Sequence, residues 1–330
     1  MKFSVFPLAL AALLCVTGVR AQEPITIKFS HVVAPDTPKG KAAERFRELA
    51  EKATRGRVRV LVYPSSQLYK DREELEALQL GAVQMLAPSL AKFSPLGVRE
   101  FEVFDLPYIF PDKKSLYRVT EGAIGEGLLH RLQAKGIKGL AYWDNGFKVM
   151  SANRPLRQPA DFRGLKMRIQ GSRVLDAQMR ALGASPLSLP FGEVVSALRS
   201  GVVDGTENPP SNFYTQNMQE LQGHLTVSNH GYLGYAVIVN KKFWDGLPSD
   251  IRDALEQAMG EATAYANAIA QQENDRALEA VRRSGKTVVH VLSEQEKQQW
   301  RDALGPVHRE MEARIGKKLL EAVRREIARP

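Results

Sequence analysis

The pattern of apolar and polar positions in the first 146 residues changes repeatedly between two periods. Short stretches of alternating or uninterrupted apolar residues predict β-strands, and longer stretches with an apolar residue every three or four positions predict α-helices. Residues 71–80 form one such helix, in which Asp71 and Glu74 have the spacing of a capping box, and residues 113–135 form another. Strands that alternate with helices indicate βαβ units and a mostly parallel sheet. The strands predicted here are 25–30, 57–63, 83–87 and 137–143.

The same order of elements starts again after residue 146. The apolar stretch at 231–240 has the pattern of a strand that returns to the first sheet. Each half therefore has its own strands and helices, which predicts two lobes joined by more than one crossing. The elements predicted in the second half are extended segments at 147–152 and 165–170 and helices at 173–182 and 191–200. The predicted lobes are 22–146 plus 233–275, and 147–232 plus 276–330.

The longest helical pattern runs from Ser249 to Arg283. Its apolar stripe lapses at 271–275 and then resumes, as it would in a helix that buries one end in each lobe. A simple exposed turn at 271–275 is the alternative. The final segment, 294–328, is helical and charged, and we expect it to pack across the back of one lobe.

Residues 1–21 have the features of a secretory signal, namely Lys2, an apolar run and a cleavage site that ends at Ala21. The apolar run is well short of the roughly 20 residues that a membrane span needs. We therefore expect a mature chain that begins at Gln22, is exported and is not embedded in the membrane. Because the one cysteine, Cys15, lies in the signal, the mature chain has no disulfide, no thiol nucleophile and no cysteine-bound metal.

The formal net charge of +9 raises the question of a nucleic-acid partner. Basic and acidic residues are interspersed throughout, as in 44–48 (ERFRE), which is typical of solvated helix faces. A mildly positive field attracts small anions. The charge pattern thus predicts a small anionic ligand and no nucleic acid.

Motifs for catalysis or cofactor binding are absent from the sequence. It has no HExxH pair, no GxSxG elbow, no Walker loop and no GxGxxG turn. The six histidines have no metal-ligand spacing, and each is expected to be a polar surface or loop residue. A binding protein without metal or cofactor is therefore favoured over an enzyme.

Two segments forty residues apart have the character of an anion site. In 164–168 (GLKMR), Arg168 lies on an alternating strand, and its planar guanidinium can bind a carboxylate through two parallel hydrogen bonds. In 204–209 (DGTENP), Asn208 is predicted to lie in a turn that follows a helix. The alternatives are an internal ion pair for Arg168 and an Asx-type turn cap for Asn208.

The chain resembles the periplasmic solute-binding subunits of tripartite ATP-independent periplasmic (TRAP) transporters over nearly all of its mature length. The segments that support the resemblance are 164–168 (GLKMR), 183–186 (GASP), 191–194 (FGEV) and 204–209 (DGTENP). In that family, a strand arginine pairs with the substrate carboxylate, an asparagine supports it and an aromatic residue packs on the ligand. By position, the resemblance implies these roles for Arg168, Asn208 and Phe191.

Within the family, the chain is most similar to the branch that binds four-carbon dicarboxylates. The segments that support this closer similarity are 29–34 (FSHVVA), 67–71 (QLYKD), 81–85 (GAVQM), 104–108 (FDLPY) and 143–148 (WDNGFK). Lys148 stands where many sialic-acid-type members have a second arginine, which argues against sialic acid. Lys148 follows a predicted hinge at 145–146 and is a candidate for binding the second carboxylate. A solvated lysine on an edge strand is the alternative.

Three further candidates, His31, Lys39 and Ser89, lie near the carboxyl ends of the first and third predicted strands. Ligands in open α/β sheets gather at this edge. Ordinary capping roles are the alternative for all three residues.

The resemblance implies a two-lobed α/β fold of periplasmic-binding-protein type, with mixed, mostly parallel sheets, a long bridging helix and lobes that close on the ligand. The implied function is to capture malate, succinate or fumarate in the periplasm and to deliver it to the small and large subunits of a TRAP permease. We expect a monomer. The alternatives are a binder of another small organic acid, such as a keto or aromatic acid, a periplasmic sensor partner that presents a ligand, and an anion-processing enzyme.

Overall fold

The computed structural model describes residues 23–329, so the predicted signal and Gln22 lie outside the described residues. Within this range, eleven strands form two sheets. The strands are β1 (Ile25–Ser30), β2 (Val58–Tyr63), β3 (Met85–Leu86), β4 (Ile137–Phe147), β5 (Val149–Ala152), β6 (Lys166–Ile169), β7 (Ser185–Ser188), β8 (Gly205–Asn208), β9 (His224–Val227), β10 (Tyr232–Asn240) and β11 (Val288–Val291).

Both sheets are mixed. The first has the order β2-β1-β3-β10-β4, in which β1 is parallel to β2 and β3 while β10 is antiparallel to β3 and β4. The second has the order β11-β9-β5-β8-β6-β7, in which β5 is antiparallel to its two neighbours. The predicted return of 231–240 to the first sheet is therefore present as β10.

Eleven helices cover the sheets in the described part of the chain. They are α1 (Pro38–Ala53), α2 (Glu74–Gln79), α3 (Lys113–Thr120), α4 (Ala123–Arg131), α5 (Arg173–Ala181), α6 (Val194–Arg199), α7 (Pro210–Thr215), α8 (Lys241–Asp245), α9 (Ser249–Ser284), α10 (Glu294–Ile315) and α11 (Lys317–Ile327). The single helix predicted at 113–135 is wrong, because the chain turns tightly between α3 and α4. A Cβ added at Gly125 would meet the Thr120 carbonyl oxygen at 2.1 Å.

The chain crosses between the two sheets three times. The first crossing is at Lys148, which separates β4 from β5, and the second lies between β9 and β10. The third is α9, one continuous helix of 36 residues, so the predicted bridging helix is confirmed and the exposed turn at 271–275 is wrong.

The two ends of α9 lie in different hydrophobic cores. Ile251 and Leu255 pack in a core with Phe29 of β1, whereas Val281 belongs to a core that contains Phe191. Between these ends, the apolar stripe lapses because polar groups meet there. Asn274, which is buried, donates to the Asn145 carbonyl oxygen (2.6 Å) and accepts from the Ser211 backbone N–H (2.9 Å).

The C-terminal helices contact both halves of the molecule. Helix α10 contacts α5 in the second half, and α11 contacts α3 and α4 in the first. Arg118 of α3 donates to the Ile327 carbonyl oxygen at 3.0 Å. The expectation that the whole tail packs on one lobe is therefore wrong, while the division into two lobes at the predicted residues stays a prediction.

Two local predictions are corrected. Asn208 lies at the end of strand β8, between β5 and β6, and not in a turn. Gly205 is needed there for close strand packing, since an added Cβ would lie 2.2 Å from the Ser151 carbonyl oxygen. Asp71 does not cap a helix: α2 begins at Glu74, and the Asp71 carboxylate instead forms an ion pair with Lys92.

Candidate ligand-binding site

Arg168 projects from β6 and is almost completely buried, with 2% of its surface exposed. Its Nε and Nη2 donate to the Leu189 carbonyl oxygen at 3.0 and 2.8 Å, which fixes the plane of the guanidinium. Nη1 is buried and has no hydrogen-bond partner in the described structure. No carboxylate within residues 23–329 forms an ion pair with Arg168, so the internal ion pair considered as an alternative is wrong.

A cavity of about 450 Å³ opens beside Arg168. It lies between the halves of the chain: Asp71 and Lys92 line it from the first, and Arg168 and Leu189 line it from the second. Burial lowers the pKa of Arg168, and the negative charges of Asp71 and Glu207 oppose this effect. A buried guanidinium without a paired anion is costly, so the site is suited to an anionic ligand.

Phe191 and Asn208 lie on the second sheet's side, with Arg168. The Phe191 ring centroid is 5.8 Å from the Arg168 guanidinium carbon, and the Phe191 backbone N–H donates to Asp71. Asn208 is buried and donates from Nδ2 to the Thr206 hydroxyl at 3.1 Å. Phe191 thus lies beside the Arg168 guanidinium, whereas the contact of Asn208 is internal to β8.

Lys148 belongs to a buried polar network that the sequence did not reveal. Its Nζ lies 2.8 Å from the Oε1 of Glu207, whose Oε2 lies 2.9 Å from the Nε2 of His230. Burial alone would raise the pKa of Glu207, but the charge of Lys148 and the hydrogen bond from His230 hold that pKa at about 2. The alternative of a solvated lysine on an edge strand is wrong, because Lys148 and its partners are all buried.

His31, Lys39 and Ser89 gather at the carboxyl ends of β1 and β3, as predicted from the strand order. Lys39 lies in the first turn of α1, donates to the Ala87 carbonyl oxygen at 2.9 Å and has its Nζ 3.8 Å from the Tyr235 ring centroid. Both ring nitrogens of His31 and the Ser89 hydroxyl are buried without partners in the described structure. All three residues are thus buried, and the ring nitrogens of His31 and the hydroxyl of Ser89 are the atoms of the group without a hydrogen-bond partner in the described residues.

The electrostatics of this group differ from those around Lys148. Burial, followed by the charge of Lys92, lowers the pKa of Lys39 to about 7, and the carboxylates of Glu74 and Asp71 act in the opposite direction. Burial, followed by the charge of Lys39, lowers the pKa of His31 to about 3. His31 is therefore neutral and buried, in the loop that directly follows β1.

Asp71 connects the two sets of candidate residues, since its charge acts on the pKa of both Arg168 and Lys39. Side-chain amides also join the two halves of the chain, because Asn145 donates to Asn212 (3.2 Å) and Asn212 donates to the Tyr235 hydroxyl (3.3 Å). Sequence reasoning assigned no ligand-site role to these partners. The only sequence feature that pointed to Asp71 as a residue near the ligand site was its place in the 67–71 segment, which supports the resemblance.

Residues 23–329 contain no group of three or more His, Cys, Asp or Glu side chains placed to hold a metal ion. In the same range, no helix combines the length and apolar character needed to cross a membrane.

Comparison with known proteins agrees with the resemblance. Residues 29–314 match the family described as bacterial extracellular solute-binding protein, family 7 (DctP). The chain is 67% identical over 302 residues to the C4-dicarboxylate-binding periplasmic protein DctP of Rhodobacter capsulatus, which covers 92% of this chain and 91% of that protein.

Two solved structures of TRAP periplasmic solute-binding proteins share the fold. One, from Shewanella oneidensis with bound succinate, has a TM-score of 0.90 and 43% identity, covering 92% of this chain and 99% of that chain. The other, from Pseudomonas aeruginosa PAO1 with bound L-malate, has a TM-score of 0.85 and 43% identity, covering 87% and 100%. The predicted two-lobed periplasmic-binding-protein fold is thereby confirmed, and the chain belongs to the DctP family of extracytoplasmic solute-binding proteins of TRAP transporters.

Proposed function

We propose that this protein binds a four-carbon dicarboxylate, such as malate, succinate or fumarate, in the periplasm and delivers it to a TRAP permease. The observation that carries the proposal is the buried guanidinium of Arg168, which faces a cavity with Nη1 unpartnered in the described structure. A ligand carboxylate would supply the missing anion and a charge-assisted hydrogen bond. The name of the Rhodobacter relative and the succinate and malate in the two related structures support the choice of ligand.

For the second carboxylate, we favour Lys39 and His31 over Lys148. The ammonium of Lys148 is already paired with Glu207 at 2.8 Å. Lys39 has no carboxylate partner in the described residues, and its one hydrogen bond, to Ala87, leaves two N–H groups of the ammonium unused. His31 adds a ring N–H beside it, and Ser89 adds a hydroxyl.

This assignment places the two carboxylate-binding groups on different halves of the chain. Arg168 lies on the second sheet, and Lys39 lies on the helix that follows the first strand. A dicarboxylate would then bridge the lobes 22–146 plus 233–275 and 147–232 plus 276–330. Ligands that contact both lobes favour the closed form, which is the state that a permease would recognise.

The remaining parts of the proposal follow from the class of protein. A solute-binding protein releases its ligand unchanged, so we propose that the chain is not an enzyme. Its partners would be the small and large permease subunits, and it would act as an exported monomer after removal of residues 1–21.

Isothermal titration calorimetry of the mature chain tests the proposal directly. We expect succinate, malate and fumarate to bind at one site per chain, and butyrate, which has the same chain length as succinate and one carboxylate, to bind far more weakly. Saturating binding of a keto or aromatic acid, with no response to any dicarboxylate, would replace the proposed ligand with the alternative class.

A further inference from the structure

A second groove of about 510 Å³ lies beside the cavity that contains Arg168. We call it the basic groove and define it by Arg99, Ser172, Arg173, Asp176 and Arg314. It is continuous with the cavity, since both are lined by Pro95, Gln170, Gly171 and Ser188. A molecule in the basic groove would therefore be next to the path that leads to Arg168.

The charges of the basic groove are not balanced. Arg314 donates to Ser94 at 2.9 Å and forms an ion pair with the buried Glu102, and Asp176 is paired with Arg180 at 2.7 Å. Glu102 and Asp176 are thus neutralised. The exposed guanidinium groups of Arg99 and Arg173, in contrast, have no carboxylate partner among residues 23–329.

The buried polar groups at the floor of the groove already have partners. Ser172 is 3% exposed; burial raises the pKa of the Asp105 carboxyl to about 7, and a hydrogen bond from the Ser172 hydroxyl opposes this effect. Ser172 directly precedes α5, whose first backbone N–H, that of Arg173, donates to the buried Glu102 at 2.7 Å. The positive charge that the groove offers to a ligand is therefore that of the two exposed, unpaired guanidinium groups of Arg99 and Arg173.

We infer that the basic groove is an access site that captures dicarboxylate dianions before they reach Arg168, an inference that rests on the proposed function. Unpaired positive charge along a cleft raises the local concentration of anions and speeds their association. Charges at the rim of a site act mainly on the association rate, whereas buried partners act mainly on the dissociation rate. Arg99 and Arg173 therefore set how fast succinate enters, and Arg168 sets how long it stays.

The test compares association rates of succinate in two variants that each lose two positive charges. One is Arg99→Gln with Arg173→Gln. The control is Arg59→Gln with Arg252→Gln, which lie at the amino end of β2 and the start of α9, away from the strand ends that form the site. Rates are measured by stopped-flow fluorescence of a dye on Leu187→Cys, a single cysteine in the mature chain.

At roughly 0.1 M salt the screening length is about 10 Å, so only nearby charges steer the ligand. We expect the groove variant to associate about threefold to tenfold more slowly, with an unchanged dissociation rate, and the control to match the wild type. At about 1 M salt the difference should vanish.

Each other outcome has a distinct meaning. Equal association rates in the wild type and the groove variant would overturn the access site while leaving the proposed function intact. Equal slowing in both variants would attribute the effect to net charge and would also overturn it. Calorimetry that shows no dicarboxylate binding to the wild type would remove the proposed function and the access site together.

Discussion

Two buried lysines of this protein lie in opposite electrostatic settings. Lys148 is paired with Glu207, and Glu207 is in turn bonded to His230, so every charge of that network has a partner. Lys39 is buried to the same degree but has a backbone carbonyl and an aromatic ring as its neighbours, with no paired carboxylate in the described residues. Lys148 therefore completes an ion-pair network inside the protein, whereas Lys39 has a positive charge that a ligand carboxylate can pair with.

The difference teaches how to separate a structural cation from a ligand-binding one. Removing one partner of a buried ion pair leaves the other charged and unsolvated, which costs stability. Removing a buried cation that has no carboxylate partner takes away a desolvation cost and should affect binding instead. The two lysines are thus expected to respond to the same substitution in different measurements.

The largest effect is expected from Lys148→Met. The variant leaves the carboxylate of Glu207 buried without its cation, and the free energy of unfolding should fall by about 3–5 kcal/mol in urea denaturation. The double variant Lys148→Met with Glu207→Gln should recover part of the loss, because the unpaired charge is gone. Full stability together with a selective loss of succinate binding would return Lys148 to the ligand-binding role that its sequence position suggests.

Arg168→Ala should weaken binding of succinate by about 2–5 kcal/mol, or roughly 30-fold to several thousand-fold. Arg168→Lys should also bind poorly, since an ammonium cannot keep the two hydrogen bonds to Leu189 and also bind the proposed ligand carboxylate. Calorimetry measures the affinities, and circular dichroism checks the fold. Affinities within threefold of the wild type would mean that Arg168 has a structural role only.

Lys39→Met should separate ligands by their second carboxylate. Losing hydrogen bonds to a charged group costs about 1.5–3 kcal/mol, so the affinity for succinate should fall about tenfold to 150-fold. Binding of butyrate and the free energy of unfolding should change little, in contrast to Lys148→Met. Equal losses for succinate and butyrate would show that Lys39 contributes only a general positive field.

The sequence was sufficient for the features that depend on local pattern. The strand–helix alternation, the return of 231–240 to the first sheet and the long helix α9 follow from periodicity, and the structure has all three. Placing Arg168 on a strand was a local inference too, and β6 confirms it.

Features that depend on pairing between residues far apart in the chain could not be predicted from the sequence. The partners Lys148 and Glu207 are 59 residues apart, and the antiparallel register of β5 with β8 brings them together. The same pairing turns the segment around Asn208 into a central strand, although its glycine and proline are typical of a turn. The unpaired state of Lys39 likewise depends on Lys92 having taken the nearby carboxylates.

The pH dependence of succinate binding should show whether the unpaired ammonium of Lys39 contributes to the affinity. In the empty protein, burial and the charge of Lys92 lower the pKa of Lys39 from 10.5 to about 7, and a bound carboxylate would raise it by stabilising the ammonium. The contribution of the Lys39 ammonium to the binding free energy is then complete below about pH 7. It is lost as the pH rises through the higher pKa that Lys39 has in the complex. Affinity for succinate should therefore fall from about pH 7 to about pH 9 in the wild type and stay nearly constant in Lys39→Met. A fall of the same size in Lys39→Met would assign the titration to another group.

The smallest effect concerns closure of the lobes on a ligand that joins Arg168 to Lys39. Trp143 reports on it because its indole N–H donates to Thr263 of α9 at 3.0 Å, close to the crossing where Asn274 bonds Asn145. Saturating succinate should change tryptophan emission and slightly reduce the radius of gyration in X-ray scattering. The emission change should be lost in Trp143→Phe and kept in Trp300→Phe, since Trp300 is bonded to Arg157 in another core. Scattering decides the matter, because a ligand that saturates without compaction would mean that the two cations line a rigid pocket.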